Sequence, residues 1–436
     1  MKTVPIRPVA SVPAAGEPPA RPEAETGWRV ARLFSAPHRL GFFAAALLLA
    51  GSAVWWAWVL FSRQAGMVLP WAVSPSAAHG LLMALGAMPL FITGFLFTAG
   101  PRWLGLPDVP VAILRGPVGL MVAGWLLVLP GFHFSAALAA IGMAAVALGW
   151  SLLVRRFALL LIASHAPDRL HAMLITAAAA IGALSLWLAA GALAAGDVNG
   201  QRAATQIALW GFLAPLFASV SHRMIPFFTT SAVPALDAWR PDWLLWVMVG
   251  VLWLELPFAL LNLWAALPTA ARWLQAAVEA PAALLLLWLA WRWGLVQSLK
   301  NRLLAMLHAG FLWLGVALAL SALSHALMAV SGGEWSLGLA PTHALAMGYL
   351  GATMIAMTTR VAAGHSGRPL AADDLAWALY WALQAAALLR VSAALWPAVA
   401  GPLTLAAVTA WTVAAVGWGW RYGGWLGRPR ADGRPG

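Results

Sequence analysis

The sequence predicts an all-α, polytopic helical membrane protein with about twelve transmembrane helices and both termini in the cytoplasm. Three observations carry this. The 436 residues are 62% hydrophobic and only 9% charged, with a mean hydropathy of +0.82, whereas a soluble domain carries about 25% charged residues. Apolar runs of the roughly 20 residues that a membrane helix needs follow one another along almost the whole chain. The basic residues collect on alternate sides of those runs. A soluble enzyme is excluded, and the short loops leave no room for a sizeable extramembrane domain.

Residues 1–38 are rich in Pro, Ala, Glu and Arg and contain no sustained apolar run. They read as a disordered cytoplasmic tail, without the basic start and apolar stretch of a secretory signal. The transmembrane region covers 39–421, and 422–436 form a basic cytoplasmic tail. Twelve apolar runs follow one another at 40–62, 78–99, 114–130, 134–154, 170–195, 203–221, 241–266, 270–293, 303–330, 339–359, 373–396 and 398–420. Breaker signals separate them: Gly100-Pro101, Ala166-Pro167-Asp168, Pro226, Pro241, Ser331-Gly332-Gly333, Gly364 to Pro369 and Pro397.

Loop charge tests this map independently, because cytoplasmic loops of membrane proteins are enriched in Lys and Arg. With the amino terminus inside, 22 of the 26 basic residues fall on the inner side. Only Arg63, Arg202, Arg272 and Arg390 fall outside. The net charge of +12 therefore marks orientation and is no footprint of nucleic acid. Clusters among the 28 tryptophans, such as Trp55-Trp56-Ala57-Trp58 and Trp291-Arg292-Trp293, fit interfacial belts.

Cysteine is absent, which excludes disulfides, thiolate metal sites and iron–sulfur clusters. Histidine, Met, carboxylate and backbone oxygen remain as ligands. Ionisable groups inside a bilayer are costly, so each is a functional candidate. His79 opens the second run and His343 the tenth, both at the outer side, and His325 lies in the outer half of the ninth. His133 falls in a short outer loop and His165 in an inner one. On the inner side, His308 sits about 8 Å into the ninth helix, with His171, His222 and His365 near helix ends.

His79-x-x-x-Met83 and His343-x-x-x-Met347 each stack an imidazole and a thioether on one helical face, with Met354 on the stripe of His343. That donor pair suits haem iron or copper, although a His at a helix end also serves as an interfacial residue and Met as a gap-filler. Gly86 and Gly94 near the His79 face leave space for a flat macrocycle or a neighbouring helix. His308 and His325 are about 25 Å apart along one helix and cannot share a metal. Glu255 and Glu279 are membrane-embedded carboxylates suited to proton relay or cation binding, and Glu279 precedes Pro281. No phosphate loop, nucleophile elbow or HExxH motif is present, so hydrolysis and ATP-driven transport by this chain are not expected.

Three segments together resemble the NnrS family. They are His79-Gly80-Leu81-Leu82-Met83-Ala84-Leu85-Gly86 with Thr93 through Gly105, then Arg223-Met224-Ile225-Pro226-Phe227-Phe228-Thr229, then Thr342-His343-Ala344-Leu345 running through Met357-Thr358-Thr359-Arg360 to Gly364-His365-Ser366-Gly367-Arg368-Pro369-Leu370. The resemblance implies a twelve-helix protein of the bacterial cytoplasmic (inner) membrane that contains haem and copper and acts in the nitric oxide or nitrosative-stress response. It carries over His79, Met83, Arg223, His343, Arg360 and His365 as motif positions. One departure stands out. The family's second-helix motif reads His-x-His-Glu-Met, and Leu81 and Leu82 stand here in place of the second His and the Glu.

The expected cofactor is therefore haem b, held by His343 with His79 or His325, with Arg102, Arg223 and Arg360 offered to its propionates or to an anion. Copper is in question because of Leu81 and Leu82. Its candidate ligands are His79, Met83, His343, Met347, His308 and His365. The second reading is a transporter of a small solute or metal complex along a path lined by His and Glu279. The third is a membrane assembly factor without metal. The His-x-x-x-Met helices are the second and tenth, which a six-plus-six transporter repeat does not pair. No His-His pair of a dinuclear reductase centre stands out in the sequence, so turnover is not expected.

Overall fold

The structure, a computed structural model, describes residues 27–434. Most of the tail expected over 1–38 lies outside the described residues. A short 3-10 turn, Val30–Ser35, leads directly into the first long helix. The long helices are α1 (Pro37–Gln64), α2 (Pro75–Trp103), α3 (Ala112–Phe134), α4 (Ala136–Ala163), α5 (Leu170–Ala195), α6 (Val198–Ala232), α7 (Asp242–Leu261), α8 (Thr269–Arg292), α9 (Arg302–Val330), α10 (340–365), α11 (Asp374–Leu395) and α12 (Pro397–Leu426). Among the described residues, eleven of these are long and apolar enough to cross a membrane. The exception is α10, whose sequence carries His343, Thr353, Thr358, Thr359 and Arg360.

Small residues set the closest approaches, because without a Cβ two backbones can touch. A Cβ on Gly41 of α1 would lie 2.5 Å from the Gly94 backbone of α2. A Cβ on Gly124 of α3 would lie 2.5 Å from the Gly142 carbonyl of α4. The last helix closes onto the first, with the Thr412 hydroxyl donating to the Ala53 carbonyl at 3.2 Å. Beyond the helices the two ends of the described chain are tied together. Arg29 N–H donates to the Gly427 carbonyl at 2.9 Å, and Arg39 reaches the carbonyls of Leu426 and Arg428. Both ends therefore lie on one face.

The interior belongs to a few helices. In α2, 89% of the most apolar window is buried, and in α6 83%. Most residues of α10 are also buried. These same helices are irregular. α2 bends at Gly86, where helical dihedrals fail. α6 contains a π-helical segment, Ile207–Leu213, and α10 another, Ala344–Gly351.

Several sequence expectations change here. Pro101 and Pro226 do not end helices but sit inside α2 and α6, as buried membrane helices tolerate. His133 belongs to the last turn of α3, and not to a loop. α12 runs to Leu426, so the C-terminal tail begins later than residue 422. Met354 leaves the stripe of His343, because a π turn holds one residue more than an α turn and rotates the residues beyond it by about 100°.

Candidate functional site

Two helix starts at one end of the bundle, each carrying a histidine, form the most suggestive site. α2 starts at Pro75, which presets the helical φ of its first turn, and so holds His79 one turn in. α10 starts in the same way, with Pro341 in the first turn and His343 at its end. His79 and His343 lie within electrostatic reach of one another, and Arg390 of α11 faces both. The His79 ring stacks on Trp56 of α1 at 4.0 Å and 24° between planes. Its Nδ1 is buried without a hydrogen-bond partner. His343 Nδ1–H donates to the Leu339 carbonyl at 2.9 Å, which fixes the tautomer and leaves Nε2 as a bare lone pair. Met83 and Met347 pack half-buried against the core.

Arg390 is the residue that sequence reasoning gave no role. It is a cation near the end of an apolar helix, on the side that is otherwise poor in basic residues, and that was the available signal. It makes no ion pair among the described residues.

His325, expected beside His343, is engaged elsewhere. Its Nδ1 meets Glu279 Oε2 at 2.8 Å, in a cluster with Glu255. Arg223 and Arg360, expected as propionate partners, lie at the opposite end of the bundle. Along α10, His343 and Arg360 are about 25 Å apart. Arg223 pairs with Asp168 at 3.1 Å and lies over Trp103, while Arg360 lies over Phe228 at 4.1 Å. His308 Nε2–H donates to Thr229 at 2.9 Å, its hydroxyl being engaged with the Ile225 carbonyl. The His365 ring packs on His38 at 4.4 Å. Among the described residues, no three His or carboxylate side chains converge as a metal cage. Leu81 and Leu82 are fully buried in apolar packing.

At that opposite end the structure makes a histidine pair that the sequence did not disclose. His222 Nε2–H donates to the Pro241 carbonyl at 3.3 Å, so its Nδ1 accepts from His171 Nε2–H at 3.0 Å. His171 Nδ1 is buried without a hydrogen bond and lies 3.9 Å from Asp168 Oδ1. Partial burial works against the charged form of Asp168, but His171 and the Arg223 guanidinium outweigh it and hold the carboxyl below its ordinary range. The neighbouring 167–170 and 238–242 segments line an open cleft of about 700 Å³, and both histidines lie buried outside its lining. The available signal was the common depth of the two histidines, flanked by the complementary charges of Asp168 and Arg223.

The fold and this geometry define a polytopic helical membrane protein with buried histidines at both ends of its bundle and paired imidazoles at one. The family description "NnrS protein" matches residues 32–430. The chain belongs to the NnrS family. No curated protein matches it.

Proposed function

We propose that this NnrS-family protein is a haem-binding protein of the bacterial cytoplasmic membrane that serves the nitric oxide or nitrosative-stress response, and that His79 and His343 would hold the haem. The observation that supports the reading is that these two imidazoles, from α2 and α10, lie within electrostatic reach of each other, His79 with an unpartnered Nδ1 and His343 with Nε2 left as a lone pair. The residues fit the group. Two imidazoles, that of His343 with its tautomer fixed, are a donor set for a non-covalently held haem, and Arg390 would supply a cation for a propionate. When bound, the haem provides one-electron chemistry and an affinity for diatomic ligands. The chain's own contribution is to orient His343 through Leu339 and to brace His79 on Trp56. Copper does not fit equally well, since Leu81 and Leu82 offer no donor and no three-ligand cluster stands beside Met83 or Met347.

The same reading makes α10 a twelfth span and sets both termini in the cytoplasm. Support comes from the loop charge and from the contacts that join the two ends of the described chain.

The test is an absorption spectrum of detergent-purified protein, oxidised and reduced, with iron and copper analysis of the same sample. A Soret band with sharp reduced bands is expected, and it is lost in His79→Ala and His343→Ala but kept in His325→Gln. Protein made with ample haem that shows neither a Soret band nor stoichiometric iron would overturn the reading.

A further inference from the structure

Glu255 of α7 and Glu279 of α8 are the acidic side chains that lie within helix interiors. Every other acidic side chain among the described residues sits in a loop, at a helix cap or on the first residue of a helix. Glu279 is fully buried and Glu255 is 4% exposed. Glu255 and Glu279 lie within electrostatic reach of each other, and His325 Nδ1 meets Glu279 Oε2 at 2.8 Å. Arg272, one helical face away, spends a guanidinium N–H on the Met328 carbonyl at 3.1 Å and pairs with neither carboxylate. The groups facing the pair are thus Arg272, Gln275 and His325. α6, which meets α7 through the Trp253 bond to the Gly211 carbonyl, carries no ionisable residue over 203–221.

Two ionised carboxylates are not expected together in this interior: like charges repel, burial penalises each of them, and Arg272 is spent on a carbonyl. Glu279 Oε1 is moreover a buried acceptor with no hydrogen-bond partner among the described residues.

We propose that Glu255 and Glu279 form a proton-binding site that holds one proton between them and exchanges it with the aqueous face where α9 ends, through His325. The ring of His325 is 23% exposed and lies five residues before Val330, about 7.5 Å from the helix end. In the transfer, Nε2 gains a proton from water and Nδ1 gives one to Glu279 Oε2. The ring is left neutral in its other tautomer, which balances the step. The proposal rests on this cluster alone and is independent of haem.

Infrared spectroscopy of the full-length protein in lipid nanodiscs at neutral pH, in light and heavy water, tests it. The expected result is a deuterium-sensitive C=O band of a protonated carboxyl, equivalent to one group per protein. The band is lost in the double variant Glu255→Gln/Glu279→Gln, shifts in either single variant, and exchanges more slowly in His325→Gln. Absence of the band from the wild-type protein, an intensity of two groups, or survival in the double variant would overturn the site. Unchanged exchange in His325→Gln would overturn the route. The wild-type spectrum alone decides occupancy, so a variant that fails to fold leaves the test intact.

Discussion

His133 holds together three segments at the end of the bundle where His79 lies, and replacing it with Ala should loosen all three. The Trp55 indole N–H of α1 donates to His133 Nε2 at 2.8 Å. The second ring nitrogen, Nδ1–H, donates to the Pro70 carbonyl in the α1–α2 loop at 2.9 Å. Trp71 packs on the ring at 4.4 Å, and the whole residue is 7% exposed. Each hydrogen bond contributes about 0.5–1.5 kcal/mol net and the aromatic contact about 0.5–1.5 kcal/mol, so His133→Ala should cost about 1.5–4.5 kcal/mol. Trp56, next to Trp55, is the residue that braces His79, so the damage should reach the site. The assay is denaturant unfolding in mixed micelles, followed by circular dichroism, for wild type, His133→Ala and His133→Gln. His133→Gln, which can still meet one partner, should fall between the two. A His133→Ala variant within about 0.5 kcal/mol of wild type, the range of neutral surface changes, would refute the reasoning.

Two further perturbations test packing and charge. Gly41→Ala should destabilise by about 1–3 kcal/mol through overpacking against Gly94, whereas Gly51→Ala on the same helix meets nothing within 4 Å and should be neutral or stabilising by up to about 1 kcal/mol; the same unfolding assay compares them. Asp168→Asn removes the ion pair with Arg223, and because the carboxylate is half exposed the loss at neutral pH should be at most about 1 kcal/mol. A carboxyl held below its ordinary value of 3.8 contributes stability above that pH and loses it as pH falls through the lowered value. The gap between wild type and Asp168→Asn, measured by thermal unfolding across a pH series, should therefore close below 3.8 and not before.

The helices were legible because a bilayer imposes one strong rule: every span must be apolar, about 20 residues long and internally hydrogen-bonded. Composition and loop charge carry that rule openly. The hidden part was lateral. His171 and His222 are 51 residues apart in sequence and 3.0 Å apart in space, and only the packing of α5 against α6 joins them. His325 has two candidate neighbours at its depth, His343 and Glu279. The sequence gives depth along a helix but not the direction a ring faces, and the structure chooses Glu279. Spacing arguments also assume a regular α period. They fail past residue 344, where the π-helical segment turns Met354 away from His343.

The irregular helices have a spacing of their own. α2, α6 and α10 are separated by four positions in the chain, so all three run in the same direction. Gly86, Ile207–Leu213 and Ala344–Gly351 all fall in the first half of their helices, at the same end of the bundle. Irregular backbone at membrane depth persists only where protein or a cavity surrounds it, and these are helices that the bundle buries. π turns concentrate at functional sites, and here they lie level with the two histidines. His79 is less than two turns before the Gly86 bend, and His343 immediately precedes its π segment. α6 brings no histidine to this level. It presents Thr205, whose hydroxyl would lie 3.1 Å from a Cβ on Gly80. On the proposed haem reading, α6 therefore brings Thr205 and no third imidazole to the level of His79 and His343.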